Sequence, residues 1–125
     1  MVGDGAMALL KVYSYSRCST CRKALAWLDS QGISADVIDI TEHPPDRHTL
    51  ATALQQFGRV KPLFNTSGLS YRALGAAVVK AMTDDEAIDA LAADGKLIKR
   101  PFVCCPDGSF LVGFKPEVWM DALLS

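Results

Sequence analysis

The stretch Tyr13-Ser14-Tyr15-Ser16-Arg17-Cys18-Ser19-Thr20-Cys21-Arg22-Lys23 decides the fold. An apolar run (Leu9, Leu10, Val12) enters it, and a helix-like pattern (Ala24, Leu25, Trp27, Leu28) leaves it. Two cysteines with two residues between them therefore stand at a strand-to-helix junction. In a chain of cytosolic character, that pattern reads as a thiol redox site or a thiolate nucleophile rather than a structural bridge.

Outward from the junction, residues 8–14 read as a strand with β-branched and aromatic character. Ser19 or Thr20 caps a helix running to about Gln31, with Gly32 as its stop. Ile33 to Ile40 alternates apolar and polar residues and reads as a second strand. It is expected to run parallel to the first, because a helix of about a dozen residues joins them. The pattern then changes. His43-Pro44-Pro45 breaks the sheet, and Asp46 caps a helix with Leu50, Ala53, Leu54 and Phe57 on its apolar face, ending at Gly58. Val60 to Gly68 reads as a loop and Tyr71 to Ala81 as a weaker helical stretch. Thr83-Asp84-Asp85-Glu86 is a capping-box pattern opening a helix through Ile88 and Leu91 to Gly95. Residues 44–95 are thus a helical insertion.

The sheet resumes at Arg100 to Cys105. Pro106-Asp107-Gly108-Ser109 is a turn, and Phe110 to Phe114 returns as the second arm of an antiparallel hairpin. Pro116 opens a last helix, Glu117 to Leu124, with Val118, Trp119 and Leu123 as its apolar stripe. The order βαβ, helices, ββα predicts an α/β thioredoxin-like (glutaredoxin-type) mixed sheet. It forms a single domain over 8–125, with residues 1–7 a flexible N-terminus in which Met7 is a candidate start.

Composition sets the outer bounds. A chain of 125 residues, half of them hydrophobic, is long enough to bury its own core without staples. A net charge of −1 announces no basic face, so nucleic acid is not the expected direct partner. No apolar run approaches the roughly 18 residues that span a bilayer, and the N-terminus lacks the basic flank and apolar block of a signal peptide. The expected compartment is the cytoplasm, where a close cysteine pair stays reduced and is more often catalytic or sensing than structural. The expected state is a monomer.

Cys18 lies just before the helix, whose N-terminus offers unpaired N–H groups and about half a unit of positive charge. Arg17, Arg22 and Lys23 crowd the same turn, and a cysteine so placed can ionise below about pH 7. Cys18, outside the helix, is the expected attacker. Cys21, one turn on, can resolve the adduct as an intramolecular disulfide. The plain alternative is that two small residues pack a helix against a sheet. A zinc site needs about four ligands, and His43, His48, Cys104 and Cys105 do not supply a paired spacing. Cys104 and Cys105 read as core packing, neighbouring strand residues facing opposite ways.

Two further segments bear on the site. In a thioredoxin-like sheet, the strand after the insertion starts beside the cysteine turn. Pro101 there would carry a cis bond before it, and Arg100 would offer a fork of donors to an oxyanion or a sulfur adduct. The alternative is a surface arginine at a strand start. In the insertion, Leu63 to Arg72 is rich in donors: Asn65, Thr66, Ser67 and Arg72 can face an anion, or serve as turn chemistry and a helix cap.

Together, Cys18-Ser-Thr-Cys-Arg-Lys-Ala, Phe64-Asn-Thr-Ser-Gly with Tyr71-Arg72, Lys99-Arg100-Pro101-Phe-Val, and Gly113-Phe-Lys-Pro-Glu-Val-Trp119 resemble the arsenate reductase/Spx family. The resemblance covers about residues 8–124 and is nearest to the small arsenate-reductase-like members. It implies Cys18 as nucleophile toward arsenate, no bound cofactor, glutathione as co-substrate and glutaredoxin as reductant of the mixed disulfide. It also implies three arginines around the oxyanion. One falls on Arg100, with Pro101 as the proline after it. The second falls near Asn65 and the third on Lys115, with Arg72 or Lys61 as candidate substitutes. The Cys-x-x-Cys pair resembles Spx-type members, which implies an alternative: a disulfide-switched transcription regulator that binds RNA polymerase. A glutaredoxin-like reductase of protein thiols is the third reading.

Overall fold

In a computed structural model of the chain, residues 9–124 are described. The expectations for residues 1–7 lie outside them. The described chain divides into two compact units. One joins the segment ending at Ile38 to the segment starting at Arg100, and the other is Asp39–Lys99. The insertion is therefore wider at both ends than its helical pattern, because the connecting loops belong to it as well.

In the first unit the sheet has the order β2-β1-β3-β4. Strand β1 (Leu10–Ser14) alternates buried Leu10, Val12 and Ser14 with more exposed Lys11 and Tyr13, the period of two that puts one face on a core. Helix α1 (Ser19–Ser30) follows, then β2 (Ala35–Asp39), β3 (Phe102–Cys104), β4 (Phe110–Val112) and helix α6 (Pro116–Leu124). Strand β3 pairs antiparallel with β1, Val12 opposite Val103, and also antiparallel with β4, Val103 opposite Leu111. The predicted hairpin is therefore present. Its turn is fastened by Asp107, whose carboxylate accepts from both the N–H (2.9 Å) and the hydroxyl (2.6 Å) of Ser109.

The core of this unit gathers Leu10, Val12, Val103, Cys105 and Leu111 from the sheet region, Ala24 and Leu28 from α1, and Trp119 from α6. Trp27, Phe114 and Trp119 meet edge-to-face or tilted, with centroids 4.9–6.1 Å apart, and the Trp119 indole N–H donates to the Gly113 carbonyl at 3.2 Å. Cys105 is core, as expected, whereas Cys104 is only half-buried. Helix α6 corrects the reading of its stripe. Trp119 is buried, but Val118 is 47 % exposed, a quarter-turn away from the core face.

Helix α1 ends where Gly32 predicts. The Ile33 N–H reaches the Leu28 carbonyl (3.0 Å) and the Gly32 N–H reaches Asp29 (3.1 Å), a Schellman closure. Its start differs from expectation. Neither Ser19 nor Thr20 is the cap; Cys18 itself occupies the N-cap in extended conformation.

The second unit is helical. Helix α2 (Arg47–Phe57) is capped by Asp46, whose carboxylate accepts from the Thr49 N–H at 2.8 Å. The single weak helix expected at Tyr71–Ala81 is two short helices, α3 (Leu69–Leu74) and α4 (Ala76–Ala81). Gly75 separates them with φ 93°, a backbone conformation that residues with a Cβ rarely adopt. Helix α5 (Asp84–Ala93) carries the predicted capping box in full, with Glu86 reaching back to the Thr83 N–H at 2.8 Å and Thr83 accepting from Glu86 at 3.1 Å. Arg47 of α2 pairs with Asp85 (3.6 Å) and Asp89 of α5. The expected loop after Val60 contains a 3-10 turn, Lys61–Leu63, and a bridge between Phe64 and Ile98.

Candidate active site

Strand β1 delivers the chain into a turn, Tyr15-Ser16-Arg17-Cys18, closed by the Cys18 N–H donating to the Tyr15 carbonyl at 3.0 Å. The Arg22 guanidinium donates to the Ser16 carbonyl at 2.8 Å and ties the turn to the first turn of α1. Cys18 is half-buried at the N-cap, and Cys21 is buried at 1 % exposure one helical turn on. Both thiols are free.

Burial alone would raise the pKa of Cys18, yet it lies below the ordinary thiol value. The Cys21 backbone and thiol and the hydrogen bond and charge of the Arg100 guanidinium favour the thiolate of Cys18 and outweigh its burial. Cys21 moves the opposite way. Its burial and the neighbouring Cys18 charge raise it, against donors from the Tyr15 backbone and the Ser14 hydroxyl. The environment thus moves the two thiols in opposite directions, Cys18 toward the thiolate and Cys21 toward the thiol.

Cys18, Cys21 and Arg100 are therefore brought together, as the sequence predicts, and the Arg100–Pro101 peptide bond is cis. The cation cluster is corrected. Arg22 is engaged with the turn, and Arg17 and Lys23 are exposed, while the groups that lower Cys18 are Cys21 and Arg100. Lys115 is exposed just before α6, its carbonyl accepting from Val118 and Trp119 at 3.0 Å each. Asn65 and Arg72 belong to the second unit. The Asn65 N–H donates to the Leu97 carbonyl at 2.7 Å and its side chain accepts from the Ser67 hydroxyl at 3.3 Å, while Arg72 is exposed on α3.

Sequence reasoning passed over Ser14 and Tyr15. Ser14 is the one buried polar side chain among the described residues, at 5 % exposure. The Tyr15 N–H donates to the Cys21 sulfur at 3.4 Å, and its ring lies under the Arg100 guanidinium, 5.0 Å from centroid to carbon. The signal available was position: Ser14 has the parity of the core-facing residues Leu10 and Val12, so a hydroxyl there has to find a buried partner.

A four-stranded sheet flanked by helices, with a half-buried cysteine at a helix N-cap and a buried cysteine one turn on, defines a dithiol site on a thioredoxin-like fold. The chain belongs to the ArsC family, whose model matches residues 13–122. It is 41 % identical over 111 residues to the uncharacterized protein YusI of Bacillus subtilis (strain 168), covering 86 % of this chain and 92 % of that protein. It is 34 % identical over 119 residues to an arsenate reductase of Escherichia coli, covering 94 % and 82 %. The crystal structure of a possible arsenate reductase from Streptococcus mutans UA159 superimposes with a TM-score of 0.79 at 42 % identity, covering 86 % of this chain and 92 % of that one. Among the described residues no helix is long and apolar enough to cross a membrane.

Proposed function

We propose that the protein is a thiol-dependent oxidoreductase of the arsenate reductase type, with Cys18 as the nucleophile and Arg100 as the binder of the oxyanion or its sulfur adduct. One observation carries the reading. Cys21 and Arg100 converge on the Cys18 sulfur and favour its thiolate, the form that attacks. The arsenate reductases among its relatives supply the substrate class.

In this reaction the Cys18 thiolate displaces one oxygen of arsenate, which leaves as water once protonated, and a sulfur–arsenic bond forms. A glutathione thiol then makes a disulfide with Cys18. The electron pair of the sulfur–arsenic bond stays on arsenic, which departs as arsenite, reduced from As(V) to As(III). Glutaredoxin, or another thiol reductant of the cytoplasm, returns the disulfide to the thiol. Arg100 supplies the planar donor fork, and Lys115 supplies further positive charge. Asn65 stands where the family pattern has an arginine, so the oxyanion is held by fewer forks than in the arsenate reductases.

The test is arsenate turnover by the purified protein with glutathione and glutaredoxin, against a Cys18→Ser control. Turnover that Cys18→Ser abolishes supports the reading, and turnover no higher than that control rejects arsenate as substrate. The Cys18–Cys21 sulfur contact favours a second reading, in which the pair is a disulfide switch on a regulator that docks on RNA polymerase. Redox-dependent capture of the polymerase by the protein separates the two.

A further inference from the structure

A buried hydroxyl costs free energy unless it is hydrogen-bonded, and Ser14 is the one buried polar side chain among the described residues. Its hydroxyl bonds the Cys21 thiol. From the next residue, the Tyr15 N–H reaches the same sulfur at 3.4 Å. The end of β1 therefore sends two polar groups to a buried cysteine that also interacts with Cys18. The arrangement exceeds what core packing of a small thiol requires.

We propose that the Ser14 hydroxyl and the Tyr15 backbone N–H form a receiving pocket for the Cys21 sulfur, which makes Cys21 the resolving nucleophile once the Cys18 sulfur is capped. This rests on the reading of Cys18 as the attacking thiolate. In the resting site the Cys21 S–H has an acceptor, the Cys18 thiolate, and it keeps its proton. When Cys18 enters a disulfide with a small thiol, its sulfur loses the negative charge and ceases to be that acceptor. Burial still raises Cys21, but the opposing Cys18 charge is gone and the two donors at its sulfur now work against burial alone, which shifts Cys21 toward the thiolate. Formation of the adduct is thus the signal that activates the second cysteine. Ser14 is a positioning residue here, acting through Cys21.

The step balances as a thiol–disulfide exchange. The Cys21 proton passes to solvent, and its thiolate attacks the Cys18 sulfur. The Cys18–Cys21 bond forms as the bond from Cys18 to the small thiol breaks, and the small thiol leaves as thiolate. With glutathione disulfide as the starting oxidant, one glutathione is released when Cys18 is capped and a second when Cys21 resolves. The protein dithiol is oxidised and the glutathione disulfide is reduced.

The experiment uses glutathione disulfide as probe, with both releases followed in time and the products mapped by mass spectrometry, so that arsenate plays no part. Wild type is expected to release two glutathiones and to end as the Cys18–Cys21 disulfide, whereas Cys21→Ser stops at one. Ser14→Ala is expected to slow the second release about tenfold relative to the first, the loss of one hydrogen bond to a charged sulfur. It is also expected to move the pH midpoint of the second release upward, and Ser14→Thr, which keeps the hydroxyl, to restore that midpoint. A wild-type protein that accumulates the mixed disulfide overturns the proposal. So does a Ser14→Ala variant whose two releases keep their ratio and their pH midpoints. If neither release occurs in wild type while the fold is intact by circular dichroism, Cys18 is not the nucleophile and the underlying reading fails instead.

Discussion

The Arg100 guanidinium carbon lies 5.0 Å from the centre of the Tyr15 ring, so the cation that acts on Cys18 rests on an aromatic face from the cysteine turn itself. Such a contact is worth about 0.5–2 kcal/mol according to how far it is desolvated, and here it also fixes where the charge sits. Tyr15→Phe keeps the ring and is expected to leave the pH midpoint of Cys18 alkylation in place. Tyr15→Ala removes the ring and is expected to raise it. Iodoacetamide labelling across pH measures both, and equal midpoints in the two variants would mean that Arg100 holds its position without the ring.

Arg100 itself is the next lever. Removing its hydrogen bond and charge from Cys18 raises the thiol pKa, so less thiolate is present at neutral pH. Arg100→Ala is expected to slow alkylation at pH 7, about tenfold for each pKa unit by which Cys18 rises. Arg100→Lys, which keeps charge but not the fork, falls between. The difference should vanish well above pH 9, where Cys18 is ionised in every variant, and a gap that persists there points to blocked access instead.

Cys105 predicts an alkaline weakness. Burial raises its pKa, with Ser109 opposing and Asp107 adding. A thiol with a raised folded value stabilises the fold fully below the unfolded value, about 8.5, and that contribution is lost as pH rises through the folded value. Cys105→Ala should therefore lose less stability between pH 7 and pH 10 than wild type in urea unfolding. Cys21, raised as well, keeps part of the slope in both proteins. Parallel losses would assign the alkaline limb to other groups.

Gly95 tests the second unit. A Cβ there would fall onto the carbonyl of Ile40, backbone that cannot swing aside. Gly95→Ala is expected to cost about 3 kcal/mol, the upper end of overpacking penalties. Denaturant unfolding measures the loss, and a change within 0.5 kcal/mol, the range of about what surface substitutions show, would mean that the 3-10 turn Gly95–Leu97 moves readily.

Much of this architecture was legible because local signals agreed with the tertiary outcome. Gly32, Asp46, the Thr83 capping box and Pro116 each sit where the helix boundaries fall. What escaped was of two kinds. Gly75 reads locally as part of a weak helix, because an isolated glycine in a helical pattern is tolerable, yet its positive φ splits that segment. Ser14 and Tyr15 escaped because their value lies in which partners the fold brings to them. Nothing in a Ser-Tyr dipeptide announces that one hydroxyl will meet a thiol and one ring a guanidinium. The charges at Arg17, Arg22 and Lys23 show the same in reverse: they are close in sequence, but Arg22 is engaged with the Ser16 carbonyl and all three side chains are exposed.

Helix α1 begins on a sulfur. Cys18 makes no side-chain capping hydrogen bond, and the Cys21 backbone N–H in the first turn favours its thiolate. An ionised Cys18 sulfur would be at once reagent and end-plate of the helix, and spending it in an adduct would remove the anion from the positive end of the macrodipole. Protonation does the same. The depressed Cys18 value means that this support is present above the unfolded thiol pKa and drains away as pH falls through the folded one. Amide protection factors at Thr20 and Cys21 are expected to drop with acidification and again on capping Cys18, and constant protection would uncouple the helix from its sulfur. The first turn of α1 is, in this sense, a reporter of its own reactivity: its tightness reads out whether the site is charged for use.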